Sequence, residues 1–167
     1  MESSVCSVCL KPKAKLICGV CESPICKSCT QFLDEDSFAF MKTIPSELQN
    51  KTFCHPCFDS KIDPQLQKYN QDVEKAKNVF VFYRAENKES RFFKRVEQII
   101  KVTDCTDKEE TVLRLAYQAI ILNCNAIVDV DLISEKIKTG SYQTSKWSGA
   151  AFPVQADPQK VERKSKN

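Results

Sequence analysis

Cysteine is the residue type that most strongly suggests chemistry in this chain of 167 residues, which contains ten of them. Eight of the ten form four Cys-x-x-Cys pairs near the start of the chain: Cys6 and Cys9, Cys18 and Cys21, Cys26 and Cys29, and Cys54 and Cys57. Thiolates are common ligands of structural Zn²⁺, and a Cys-x-x-Cys turn presents two sulfur atoms to one ion. Four pairs therefore predict two four-thiolate sites holding two Zn²⁺ ions.

Three other uses of paired cysteines fit this pattern less well. A disulfide framework needs an oxidising compartment, and the first residues, MESSVCSVC, lack the basic start and apolar stretch of a signal peptide. We therefore expect a cytoplasmic protein. A thioredoxin-type redox site uses one Cys-x-x-Cys pair beside a βαβ unit, and ferredoxin clusters use other cysteine spacings.

Spacing alone leaves open which pairs share an ion, and serial pairing, first with second and third with fourth, is one possibility. The gaps between successive pairs are eight, four and twenty-four residues. This pattern resembles the cross-brace zinc fingers of the FYVE, PHD and RING group, and looks most like FYVE because all the ligands are cysteines. The only histidine, His55, is interpreted as a spacer. The resemblance implies one ion held by Cys6, Cys9, Cys26 and Cys29, and another held by Cys18, Cys21, Cys54 and Cys57.

The predicted metal sites indicate a structural role. Four thiolates fill the coordination sphere of Zn²⁺, so these ions have no open position for water or substrate. We therefore predict a non-enzymatic zinc-binding adaptor, in which the finger presents a protein-interaction surface. Two alternatives stay open, a RING-like ubiquitin-ligase module and a phosphoinositide-binding FYVE domain.

Phosphoinositide binding is the less expected alternative. The basic, histidine-rich lipid motif of FYVE domains falls here at KAKLICGVC, where Lys15 matches one basic position but Leu16 and Ile17 replace the two histidines. Each four-thiolate zinc site is formally −2, which lowers the balanced charge of residues 1–70 to about −4. The formal net charge of the whole chain is only +3, so no nucleic-acid partner is expected either.

The segment between the third and fourth pairs is rich in large apolar side chains, which we expect to form a small core on the zinc knuckles. After the fourth pair, DPQLQKYNQDVEKAKN predicts a helix from Pro64 to about Lys77, with Asp63 as its N-cap. These patterns predict a double zinc finger over residues 1–62 and a linker helix over residues 63–78.

The second half of the chain predicts a small α+β domain over residues 79–156. NVFVFYRA reads as a strand, and a long helix follows Asp107 with an apolar stripe. That stripe comprises Val112, Leu113, Ala116, Tyr117, Ile120 and Ile121. AIVDVDLI and YQTSKWSGAAFPV read as strands joined by a turn at Gly140, whereas the apolar residues of RFFKRVEQIIKV fit helical spacing better than alternation.

Together these elements predict an α+β protein in which the main helix packs on an antiparallel or mixed sheet. Residues 157–167 are polar and are expected to form a disordered tail. No uninterrupted run of about 18 apolar residues occurs, so no membrane span is expected.

Two short motifs carry a second resemblance. NCNAIVDVDL and WSGAAFPV are similar to the helix-end, strand and small-residue motifs of the YbjQ-type family of small bacterial domains. That resemblance implies a possible homo-oligomer, because such domains form rings. No metal site is carried over from the family, since this half has no histidine and only two cysteines, Cys105 and Cys124.

No residue of the second half is predicted to be catalytic. Asp129 and Asp131 alternate with apolar residues, which places both carboxylates on one solvated face of a strand. Cys124 is interpreted as a small buried residue rather than a nucleophile. No organic cofactor is expected.

Overall fold

The computed structural model describes residues 4–86, 93 and 98–159. The chain divides into two compact units, Met1–Asn70 and Gln71–Asn167, called here the first and second units. The described residues contain both helices and sheets, with one main helix in the second unit, which confirms the predicted mixed α+β class. The predicted tail lies outside the described residues from position 160 onward.

The first unit contains two small antiparallel sheets. Strand β1 (Leu16–Ile17) pairs with β2 (Pro24–Ile25), and β3 (Thr30–Phe32) pairs with β4 (Thr52–Cys54). Strands of two or three residues are too short to be stable by pairing alone. Their stability must therefore come from side chains and from whatever the cysteines bind.

Large apolar residues between the third and fourth pairs form a core, and Val20, between Cys18 and Cys21, packs against both this core and the cluster of buried cysteines. The buried members of the apolar core, called here the aromatic core, are Leu33, Phe38, Leu48, Phe53 and Ile62. Tyr69 packs against it, with its ring centroid 5.1 Å from that of Phe38. The helical segment after the fourth pair thus supplies one wall of this core.

The predicted helix exists, but its predicted N-cap is wrong. The chain is helical from α1 (His55–Cys57) through a π-helical turn at Phe58–Ile62 into α2 (Asp63–Ala76). Asp63 has helical dihedral angles, and its N–H donates to the carbonyl of Phe58. Proline lacks an N–H and its ring crowds the carbonyl four residues earlier. The wider π turn just before Pro64 accommodates that ring without ending the helix.

The second unit is built on a four-stranded mixed sheet in the order β5-β7-β8-β6. Its strands are β5 (Phe80–Tyr83), β6 (Ile100–Cys105), β7 (Ala126–Thr139) and β8 (Tyr142–Val154). Strand β5 runs parallel to β7, and the other neighbours are antiparallel. The β7–β8 hairpin turns at Gly140, whose φ of +64° is a left-handed conformation that glycine adopts without steric cost.

Helix α3 (Lys108–Ile121) packs on β6, β7 and β8. At Gly149 a Cβ atom would lie 2.8 Å from Leu132 Cδ2 and 2.9 Å from Thr111 Cγ2, so glycine permits this close approach of helix and sheet. A separate apolar cluster of the same sheet contains Val128 and Val154, with Phe152 packed against them.

The segment RFFKRVEQIIKV, for which the spacing left helix or loop open, ends in a strand. Ile100 and Val102 are buried and Lys101 is exposed in β6, which is strand alternation. The helical spacing arose because Ile99 and Ile100 are adjacent, and Ile99 precedes the strand and is exposed. Phe92 and Val96 lie outside the described residues.

Helix α3 begins as predicted, with Asp107 as its N-cap, but its buried face is shifted. Ala116 and Tyr117 are buried as expected, whereas Ile121 is 53% exposed. Two polar residues, Thr111 and Gln118, are buried instead, and each donates one internal hydrogen bond, whereas Gln118 Oε1 has no hydrogen-bond partner among the described residues. Thr111 Oγ1 donates to the Asp107 carbonyl at 2.6 Å, and Gln118 Nε2 donates to the Lys101 carbonyl at 3.3 Å.

The start of α3 provides a test of pH dependence. The hydroxyl and the N–H of Thr106 donate to the Glu110 carboxylate, which holds the pKa of Glu110 below its usual value. A lowered folded pKa means that this stabilisation is present above the unfolded pKa of about 4.3 and is lost as the pH falls through the folded value.

Glu110→Gln is therefore expected to lower the free energy of unfolding of the second unit by about 1 kcal/mol at pH 7, with the difference shrinking below about pH 4. Trp147 is the only tryptophan and lies in this unit, so its fluorescence during urea unfolding measures the effect. The exposed neighbour Glu109 provides the control, as Glu109→Gln. Equal effects of both substitutions, or a difference independent of pH, would contradict the assignment.

Candidate metal centre

The structure brings the eight paired cysteines together in two groups. The first group, called here site 1, contains Cys6, Cys9, Cys26 and Cys29, and the second, site 2, contains Cys18, Cys21, Cys54 and Cys57. Within each group all four Sγ atoms lie within 4.8 Å of one another. The groups interleave along the chain, since the first pair meets the third and the second pair meets the fourth.

The distances between sulfur atoms fit a single tetrahedral ion. Cys9 Sγ lies 3.7 Å from Cys26 Sγ, and Cys21 Sγ lies 3.9 Å from Cys54 Sγ. A Zn–S bond of about 2.3 Å in a regular tetrahedron places two sulfurs about 3.8 Å apart. A disulfide requires about 2.05 Å, and all ten cysteines are free. The donor set therefore suits one metal ion per group.

Each site is built from one loop and one helical turn. The loops Cys6–Cys9 and Cys18–Cys21 are each followed directly by a residue with left-handed backbone, Leu10 (φ 59°) and Glu22 (φ 56°). The N–H of each of these residues donates to the carbonyl of the first cysteine of its loop at 2.9 Å. Left-handed backbone is costly for non-glycine residues, so its recurrence indicates that both loops are held in the same shape.

The other half of each site is a cysteine pair at the start of a helical turn. Cys26 precedes a 3₁₀ turn that ends at Cys29, and Cys54 precedes α1, which ends at Cys57. Each of these two leading cysteines has extended backbone at the N-cap position. The turn then brings the second thiol of the pair back beside the first.

Matching hydrogen bonds join the loop to the helical turn in both sites. The N–H of Cys26 donates to Cys6 Sγ and the N–H of Cys54 donates to Cys18 Sγ, both at 3.4 Å. Donors to sulfur stabilise the thiolate and orient it, as the supporting groups around metal ligands commonly do. The two sites are thus structurally equivalent, which the cysteine spacing alone did not reveal.

The pKa values of the thiols differ strongly within each group. The N–H of Cys9 is the largest cause that lowers the pKa of Cys6 to about 6. At Cys18 burial raises the pKa, but the N–H groups around it outweigh burial and lower the value to about 6. Burial, followed by the neighbouring sulfur atoms, raises the pKa of Cys29 and of Cys57 to about 12. Four thiolates this close need a cation to offset their repulsion.

Gly19 fastens the loop of site 2 to β4. Its N–H donates to the Thr52 carbonyl at 2.9 Å, and Asn50 Nδ2 donates to the Gly19 carbonyl at 3.0 Å. Ser7 has the same place in site 1, where its N–H donates to the Pro24 carbonyl at 2.9 Å. This contact was not predicted from the sequence, although a glycine directly after a ligand cysteine is a signal of close backbone approach.

Gly19→Ala is expected to weaken site 2 selectively. A Cβ atom at this position would overlap Asn50 Cβ, so the backbone at Asn50 or at the loop must shift, and the hydrogen bond from Asn50 Nδ2 is disturbed. We expect a cost of about 1–3 kcal/mol, with faster alkylation of Cys54 than of Cys26 under a chelator. Mass-spectrometric mapping of alkylated thiols measures this. The matched control is Ser7→Ala, and equal alkylation of both sites in Gly19→Ala would contradict the prediction.

His55 is placed beside site 2 without joining it. Its Nδ1 atom lies 3.2 Å from Gln31 Nε2, which can donate to it when the ring is neutral. Across the described residues, the groups able to hold a metal contain only cysteines.

The candidate residues of the second unit are not assembled into a site. Burial raises the pKa of Cys105 and of Cys124, which keeps both thiols protonated and unreactive. Asp131 is exposed, and its Oδ2 lies 3.4 Å from Arg84 Nη1. Asp129 has φ of 52° at a bulge in β7, which interrupts the alternation that predicted a shared face for the two aspartates.

Among the described residues, no helix combines the length and apolar character that crossing a membrane requires. Comparisons of the chain with models of protein families, with curated proteins and with solved structures give no match. The resemblances to FYVE fingers and to YbjQ-type domains therefore stay predictions. The geometry supports a coarser conclusion, that the first unit carries two tetra-cysteine groups, each able to hold one metal ion.

Proposed function

We propose that the first unit is a non-enzymatic adaptor module in which two Zn²⁺ ions in cross-brace order hold a protein-interaction surface. The observation that carries the proposal is the interleaving of four Cys-x-x-Cys pairs into two groups whose sulfur atoms have tetrahedral spacing. Cys6, Cys9, Cys26 and Cys29 bind one ion, and Cys18, Cys21, Cys54 and Cys57 bind the other.

Zinc is favoured over other thiolate-bound metals. A tetrahedral set of four sulfurs is typical of zinc or of iron–sulfur centres. A multi-iron cluster places several atoms between the cysteine sulfurs and keeps them further apart than the 4.8 Å seen here. Because reduced thiols are required, the proposed location is the cytoplasm.

A protein-interaction surface is favoured because the sites are closed to substrates and the loop of site 1 exposes apolar side chains. Four thiolates leave no coordination position for catalysis. Val8 is exposed on this loop, Val5 is exposed just before it, and Leu10 just after it is 76% exposed. Apolar side chains clustered on one short loop are typical of a contact surface.

The second unit is proposed to support oligomerisation or a second contact. The β7–β8 hairpin pairs as far as Thr139 and Tyr142, whereas β6 pairs with β8 only as far as Trp147. The outer hairpin is therefore a two-stranded arm beyond the rest of the sheet. Tyr142 is exposed at the tip of this arm, and Ile133 is exposed on β7 before the arm begins.

Native mass spectrometry of the full chain tests the metal assignment. We expect a mass increase of two zinc ions, lost together with folded charge states after treatment with a strong chelator. A metal-free protein with intact disulfides would contradict the proposal.

Affinity capture from a reducing lysate tests the adaptor role, comparing the zinc-loaded wild type with Leu10→Asp. The expected result is a set of bound proteins that is lost in Leu10→Asp while both zinc ions are retained. Flotation with phosphoinositide vesicles tests the lipid alternative, and vesicle binding that Leu10→Asp abolishes would favour the lipid-binding function.

Light scattering measures oligomerisation, and a monomer at micromolar concentration would contradict the role given to the hairpin arm.

A further inference from the structure

The second unit contains a cavity of about 480 Å³ between the start of α3 and residues of β5, β7 and β8. Its lining residues are Tyr83, Arg84, Ala85, Lys108, Val130, Asp131, Leu132 and Trp147. Cavities of about 300–1,000 Å³ that combine apolar walls with a few polar groups are typical of small-molecule sites. This cavity therefore has the size and the composition to be a binding site.

Two cations and one carboxylate provide the polar groups of the cavity. Arg84 Nη1 lies 3.4 Å from Asp131 Oδ2, which is a long contact, and among the described residues it is the ion pair of this guanidinium, which has five N–H donors. Lys108 Nζ lies 4.9 Å from the centre of the Tyr83 ring. The cavity thus has a formal charge of +1, with two donors available to an anion.

Apolar and aromatic side chains form the rest of the wall. Val130 is buried, and Leu132 and Trp147 are half-buried, so each presents part of its surface to the cavity. Tyr83 completes the aromatic wall beneath the Lys108 ammonium. Flat rings stack well on aromatic side chains and on guanidinium planes.

We propose that this cavity binds a small planar anion, a ligand with an aromatic ring and a carboxylate, sulfonate or phosphate group. The ring packs against Trp147, and the anionic group accepts hydrogen bonds from Arg84 and Lys108 in competition with Asp131. The function goes beyond that proposed for the first unit, because no cysteine lines the cavity and no metal is required.

Binding of anilinonaphthalene sulfonate to the zinc-loaded full chain tests the proposal. This dye has a planar ring system and one sulfonate, and it accepts energy from tryptophan. Trp147 is the only tryptophan, so energy transfer detects dye bound within reach of it, and substitutions of the lining residues then locate the dye. Phenylnaphthylamine has the same rings without the sulfonate and measures the contribution of the charge.

The proposal requires saturable energy transfer from Trp147 to the sulfonated dye, with at least about tenfold weaker binding of the neutral dye. Arg84→Gln and Lys108→Gln are each expected to weaken binding of the sulfonated dye about tenfold. Lys101→Gln removes an exposed charge from β6, outside the cavity lining, and should leave binding unchanged.

Three results would overturn the proposal. These are absence of energy transfer, equal binding of the two dyes, and equal losses in Lys101→Gln and in the cavity variants. Circular dichroism of each variant establishes that the second unit is folded, and the exposed positions of Arg84 and Lys108 make unfolding unexpected.

Discussion

Cys26→Ser is expected to unfold the first unit, to abolish zinc binding at site 1, and to leave the second unit folded. The substitution removes one of four thiolates, and structural zinc in small fingers contributes about 10–16 kcal/mol of binding free energy that is also folding free energy. A loss of several kcal/mol from that contribution is large compared with the total stability of a domain, about 5–15 kcal/mol. Strands of two or three residues cannot compensate for it.

Hydrogen exchange with mass spectrometry, combined with zinc analysis, measures both parts of this expectation. Peptides from the first unit should lose protection, and peptides from β7 and β8 should keep it. Cys124→Ser makes the same chemical change at a buried cysteine outside both sites and should retain two zinc ions. If both units lose protection together in Cys26→Ser, the two units do not fold independently, and the predicted domain boundaries are wrong.

Alkylation of cysteine variants under zinc-limited conditions distinguishes interleaved from serial pairing of the four Cys-x-x-Cys pairs. Cys9 Sγ lies 3.7 Å from Cys26 Sγ, so Cys9→Ser should release the same ion as Cys26→Ser. In the interleaved arrangement, alkylation under zinc-limited conditions then reaches Cys29 before Cys57. In the serial arrangement, Cys9→Ser would instead expose Cys18 and Cys21 first.

The positions of the metal ligands could be predicted from the sequence because their chemistry is local. A Cys-x-x-Cys turn carries its two ligands within four residues, so the pairs are visible without knowledge of the fold. The grouping of the pairs depends on contacts between residues far apart in the chain, such as the hydrogen bond from Cys54 to Cys18. Spacing alone left that grouping open, and only the resemblance to cross-brace fingers favoured one order.

The errors in the second unit have a common physical cause. Apolar patterns identify which side chains avoid water, but they do not reveal polar groups that are satisfied internally. Thr111 is one such residue, because the Asp107 carbonyl accepts its hydrogen bond; Gln118 donates to the Lys101 carbonyl, but its Oε1 has no partner among the described residues. The sequence pattern does not reveal the left-handed backbone of Asp129 either, because a β-bulge depends on pairing with the partner strand.

Phe53→Ala is expected to be the most damaging substitution outside the metal ligands. Phe53 has 0% exposure in the aromatic core, and its ring centroid lies 6.2 Å from that of Phe58. Its neighbour on β4 is Cys54, and successive side chains of a strand point to opposite sides. The two sides of β4 thus contact different clusters, the aromatic core and the cysteines of site 2.

Truncation of a buried phenylalanine costs about 3–5 kcal/mol through lost burial and the cavity left behind. Because zinc binding and folding of the first unit are coupled, the same free energy is expected to appear as zinc affinity weakened by at least about a hundredfold. Competition with a chromophoric chelator measures this affinity, and the stoichiometry should remain two because all eight thiols are present.

Phe32→Ala is the matched control, since Phe32 lies on the adjacent strand β3 but is 54% exposed. We expect it to change the zinc affinity less than about fivefold, as exposed substitutions commonly cost under 1 kcal/mol. A similar loss in both variants would mean that the aromatic core does not support the metal sites. A large loss in Phe53→Ala alone would show that the first unit is stabilised jointly, by its metal ions and by an apolar core of its own.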